Sequence, residues 1–115
     1  MNDKSINVSV LQELVGDDQL VINDILQEFR LRSTETAADL DAACRAQHCN
    51  QVSEIAHKLK SSARSIGALK LGGWCEQIEH AGRNGEADKL KELILGFKLE
   101  MAAVESYLMS WPGIK

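Results

Sequence analysis

His57 lies in the stretch AHKLKSSAR, with Lys60, Ser61 and Arg64 following it at offsets of three, four and seven. Those offsets share one face of a helix. An imidazole nitrogen is a nucleophile at neutral pH, and a phosphoryl group placed on it would be dianionic and would need cations close by. Lys60 and Arg64 could supply them, and a residue as small as Ser61 one turn along would leave the ring open to another protein. Solvated helix faces also carry lysines, arginines and serines with an occasional histidine. Spacing alone therefore leaves both a phosphoacceptor and an idle surface histidine open.

Other chemistry is harder to assemble. His80 shares its turn with Glu76 and Glu79, which would repel a phosphoryl group, so it reads as a solvated surface residue, and His48 sits in a connection without a basic cluster. Cys44, Cys49 and Cys75 cannot all pair, and their spacing fits neither a redox C-x-x-C nor a tetrahedral zinc site. They read as reduced thiols, with Cys44 and Cys75 as small core residues, and no metal ligand set is expected. The run from Gly67 to Gly72 begins like a nucleotide-binding loop, but Gly73 and Trp74 stand where lysine and Ser/Thr are needed, and no strand precedes it.

The elements that must position His57 are helices. A short one is expected from about Val8 to Val15, stopped by Gly16, with Asp17 or Asp18 capping the next. In that second segment Ile22, Leu26, Phe29, Ser33, Thr36, Leu40 and Ala43 recur at steps of four and three, a seam about 28 residues long. Ser33 and Thr36 interrupt it; both can bond back to the backbone one turn earlier. After a break at Gln47 to Asn50, a third helix carries Val52, Ile55, Ala56, Leu59, Ala63 and Ile66 on one face and stops at Gly67. A fourth carries Leu71, Trp74, Cys75, Ile78 and Gly82 and stops near Asn84 and Gly85, and a fifth carries Leu90, Ile94, Phe97, Met101, Val104 and Leu108. With Val52 at zero and about 100° per residue, His57 falls near 140°, outside the apolar stripe of the third helix. The fold expected is all-α: an antiparallel up-down-up-down four-helix bundle, with the short N-terminal helix as a lid on one end.

At 115 residues the chain fits one domain, 1–115, with its motif core at 50–85. Thirteen basic against seventeen acidic residues give a formal charge of −4, and only 4% of residues are aromatic, which argues against nucleic acid as a partner. The opening MNDKSINVSV lacks a signal-peptide pattern and no apolar run approaches a membrane span, so a cytoplasmic chain without a membrane partner is expected. Met1 and the short ends suit a free-standing module, expected as a monomer.

The run from His57 to Ala68, HKLKSSARSIGA, resembles the signature of histidine-containing phosphotransfer (HPt) domains: H, any residue, L, K, usually G, small residues, a hydrophobic residue, G and A. The likeness extends through Leu71, Cys75, Ile78 and Glu79 to the Gly82–Gly85 turn, and includes Gly16, Asp17 and Asp18 leading into the long second helix. The resemblance implies that His57 is the phosphoacceptor, through Nε2, and that Lys60 holds the phosphoryl oxygens. Arg64 stands where the family varies; its place beside a docking partner is inferred from the helix face. Ser61 departs from the usual glycine, so its hydroxymethyl group either crowds the partner or donates to the phosphoryl group. By the same resemblance the chain is a phosphoryl carrier rather than an enzyme, relaying between a (hybrid) sensor histidine kinase, or its receiver aspartate, and a response-regulator receiver. It binds no cofactor itself, and Mg²⁺ belongs to the partner receiver. A helical adaptor or inhibitor docking a receiver without phosphoryl transfer is the competing expectation.

Overall fold

The computed structural model describes residues 5–114; Met1 to Lys4, part of the N-terminal sequence considered above, and Lys115 lie outside the described residues. Five helices account for nearly all of it: α1 (Val8–Val15), α2 (Gln19–Arg45), α3 (Cys49–Ser65), α4 (Leu69–Arg83) and α5 (Ala87–Met109), with no strand among the described residues. Each helix ends where its sequence stops favouring it. Asn7 caps α1 by accepting from the Ser9 N–H, and Asp18, of the two candidate aspartates, caps α2 through Leu20 and Val21. Gly16 and Gly67 take φ of +85° and +86°, a conformation that a side chain disfavours. The expected break at Gln47 to Asn50 is shorter than the sequence suggested. Gln47 itself turns the chain, at φ +59°, and α3 already starts at Cys49.

Most of the predicted seam residues form the core, while Thr36, Ile55 and Trp74 are half-buried at its edge. Ile22, Leu26, Phe29, Leu40 and Ala43 of α2 are buried, as are Val52, Ala56, Leu59 and Ala63 of α3, Leu71, Cys75 and Ile78 of α4, and the whole α5 series from Leu90 to Leu108. Ser33, also buried, donates to the Arg30 carbonyl, and Thr36 donates to the Arg32 carbonyl, so both hydroxyls are satisfied within their own helix. The Cys44 and Cys75 thiols lie in this core, where burial pushes them up to about 11 and about 12; they are protonated at neutral pH.

In the bundle α2 packs on α3 and α5, α3 on α4, and α4 on α5, so these four helices close a ring. Ion pairs tie α2 to α5 along their length, Arg30 to Glu105 and Asp41 to Lys98, while Trp111 donates its indole N–H to Asn23 near the start of α2. The segment before α1 is fastened to the turn between α3 and α4, where the Asn7 N–H donates to the Gly67 carbonyl at 2.8 Å. Among the described residues no helix is long and apolar enough to cross a membrane.

Gly67 is the tightest of these joints, since an added Cβ would run into the Asn7 backbone as well as straining the positive φ. Gly67→Ala is expected to cost about 1–3 kcal/mol, read as a lower urea midpoint with an unchanged m value.

Candidate functional site

α3 and α4 approach closely because small residues face across them. A Cβ on Gly82 would lie 2.9 Å from the Cys49 carbonyl and 3.1 Å from the Ser53 nitrogen, and one on Gly72 would lie 2.8 Å from Cγ of Arg64. Ala56 and Ala63 of α3 are fully buried. Glycine in a helix interior is unfavourable by about 1 kcal/mol relative to alanine, a cost offset here by the helix contact it permits. The close approach brings side chains at the edges of the two apolar stripes within bonding distance.

At that edge Glu79 of α4 meets His57 and Lys60 of α3. His57 Nδ1 lies 2.9 Å from Glu79 Oε2, and Lys60 Nζ lies 2.7 Å from Oε1. Arg83, one turn along α4, donates to Oε2 at 2.6 Å. The Glu79 side chain is only 5% exposed, while that of His57 is 60% exposed. This revises the expectation of Glu79 as a charge in the turn of His80 that would only repel a phosphoryl group. It is a buried acceptor, whereas His80 is exposed as expected.

Burial alone would push the Glu79 carboxyl up, but the hydrogen bonds from Lys60 and His57, with the charge of Lys60, outweigh it and hold the carboxyl below its ordinary range. An ionised carboxylate accepts hydrogen bonds and cannot donate them. The proton in the His57–Glu79 contact therefore belongs to Nδ1. Nε2 is bonded to none of the described residues, and in a ring protonated on Nδ1 alone it would carry a free lone pair. The site can thus present one fixed nucleophilic nitrogen to solvent, with an ammonium group beside it and a buried negative charge behind.

The other predicted residues are placed differently. Arg64 lies over Gly72 and donates to Glu76 at 2.6 Å, a half-exposed pair that is not part of the Glu79 cluster. The Ser61 hydroxyl turns back to the His57 carbonyl at 3.4 Å, a long and weak bond. On the other flank of α3 an open groove of about 600 Å³ separates it from α2, floored by Ile25, Phe29, Ile55 and Leu59. Among the described residues no three His, Cys, Asp or Glu side chains gather as a metal site.

The helical fold agrees with the comparisons to known proteins. The family model of the Hpt domain matches residues 24–107, and the chain belongs to that family. It is similar to the crystal structure of histidine-containing phosphotransfer protein B (HptB) from Pseudomonas aeruginosa PAO1, at 28% identity over 94% of each chain with a TM-score of 0.81. No curated protein sequence matches it. Members of this family are phosphoryl carriers rather than enzymes.

Because the folded chain holds Glu79 ionised more readily than the unfolded chain does, the stability it contributes is fully present above the ordinary carboxylate value. That stability is lost as pH falls through the lowered folded value. Between about pH 5 and about pH 3 the urea midpoint of the wild-type chain should therefore fall more steeply than that of Glu79→Gln.

Proposed function

We propose that the chain relays phosphoryl groups through a phosphohistidine on Nε2 of His57, accepting from a kinase or its receiver aspartate and passing to another receiver aspartate. The observation that carries this reading is the division of the imidazole: Nδ1 held by the buried Glu79, Nε2 turned out on a ring that is 60% exposed. In the accepting step the Nε2 lone pair attacks phosphorus in line, the P–N bond forms, and the P–O bond to the aspartate breaks, releasing a carboxylate. The ring keeps its proton on Nδ1 and gains positive charge, which the Glu79 carboxylate stabilises. In the donating step a second aspartate attacks phosphorus, the P–N bond breaks, and the neutral imidazole leaves with the Nδ1 proton still in place.

Lys60 is suited to neutralise the phosphoryl oxygens, having its ammonium group at the same carboxylate as the ring. In-line phosphoryl transfer also relies on a divalent cation, which belongs with the acidic pocket of a receiver. This chain presents the nucleophile, and the receiver, carrying Mg²⁺, supplies the rest. The Arg64–Glu76 pair, two turns along α3 from His57, is a further exposed charged feature available to a docked receiver. A rigid bundle suits the task. Three connections of three residues each (46–48, 66–68 and 84–86), with Cys49 beside Gly82 and Arg64 beside Gly72, support helices α2 to α5 running alternately up and down in a single domain.

Incubation with a cognate kinase, its receiver and ATP should place acid-labile, alkali-stable label on the chain and none on a folded His57→Gln variant. Docking without label would favour an adaptor instead, and label persisting in His57→Gln would exclude His57. Lys60→Ala should slow transfer by about tenfold or more, the scale of one lost charge-assisted bond. Ser61→Gly should leave the rate within about twofold, since removing a bond this long costs a few tenths of a kcal/mol. Rapid-quench transfer rates to one receiver would check both.

A further inference from the structure

Glu79 offers two oxygens to three donors, and they divide unevenly. Lys60 alone holds Oε1, whereas His57 and Arg83 share Oε2. Of the three, Lys60 and Arg83 carry permanent charge at neutral pH. Stripping a buried carboxylate of its cation is strongly unfavourable, because the charge is left without solvent or partner. Lys60 is also the cation placed to meet a phosphoryl group on the neighbouring ring, and its own side chain is only 19% exposed. Were it the sole cation on Glu79, every turn toward the phosphoryl group would weaken its hold on that carboxylate.

We propose that Arg83 is a positioning residue of the relay, holding the Glu79 charge from the Oε2 side so that Lys60 can turn to a phosphoryl group on His57 Nε2. The proposal rests on the reading of His57 as phosphoacceptor. Arg83 acts through Glu79 and Lys60 and has no direct part in the transfer. An i, i+4 pair between two solvated side chains would contribute little. This pair differs because its acid is buried and shared with the reactive ring, while the guanidinium of the 59% exposed Arg83 side chain is anchored on it at 2.6 Å.

The test uses the full chain phosphorylated by phosphoramidate, which needs no partner protein, and follows the ³¹P signal that His57→Gln lacks. Arg83→Gln should lose the phosphoryl group about threefold faster or more, and Arg83→Lys should restore most of the lifetime. In a Lys60→Ala background the same Arg83→Gln change should have no further effect. Equal lifetimes for wild type and Arg83→Gln, or an undiminished effect in the Lys60→Ala background, would overturn the proposal. A second readout needs no substitution. On phosphorylation of the wild-type chain the Lys60 ammonium ¹H–¹⁵N signal should shift while the Arg83 guanidinium stays protected from exchange; an unmoved Lys60 with a released Arg83 would overturn it equally. Absence of any His57-dependent ³¹P signal would instead bring down the phosphoacceptor reading itself, and this proposal with it.

Discussion

Glu79 is withdrawn from water between two helices, and a carboxylate in that position survives as an anion only if the residues around it supply protons and charge. The arrangement of α3 and α4 meets that need. His57, Lys60 and Arg83 converge on it from both helices, and the glycines at 72 and 82 bring the backbones close enough for bonds of 2.6–2.9 Å. The carboxylate in turn decides which imidazole nitrogen bears hydrogen and which way the ring faces. A histidine on a solvated helix would sample both tautomers and several rotamers. Here one tautomer and one orientation are selected before any partner arrives.

The remainder of the bundle supplies stiffness to that contact. The α5 seam from Leu90 to Leu108 and the α2 seam from Ile22 to Ala43 bury apolar side chains over most of their length. The pairs from Arg30 to Glu105 and from Asp41 to Lys98 join the outer edges of the same two helices. At the other side Trp74 packs its ring against Gly96 of α5, which has no Cβ to obstruct it. A movement of α4 that would spoil the His57–Glu79 bond therefore has to disturb packing against both of its neighbours.

Much of this was legible in the sequence because its period is strong. Seams repeating at three and four residues identified the second to fifth helices, and glycines at 16 and 67 marked the ends of the first and third. The exposure of His57 followed from the same wheel. Glu79 was misjudged for a physical reason: it falls at about 80° from the centre of its stripe, the border between buried and solvated faces, where one helix alone cannot decide. Lys60 occupies the equivalent border on α3. Only the pairing of the two helices turns those borders into a shared interior. The i, i+4 spacing of Glu79 and Arg83 was the available hint, and solvated helices carry such pairs too often for it to stand out. The Asn7 cap and the turn at Gln47 depend on local backbone angles that no periodicity encodes.

The placement of Arg64 bears on how fast another molecule could engage this surface. A long cationic side chain in solvent usually forfeits rotational freedom when captured, and that loss subtracts from whatever attraction it provides. Arg64 has already surrendered much of that freedom, its aliphatic stem laid along the bare backbone at Gly72 and its head fastened to Glu76. An approaching acidic surface thus meets a positive group standing at a set height and angle on the α3–α4 face. Recognition there becomes a matter of fit between two prepared faces rather than of gathering in a wandering charge.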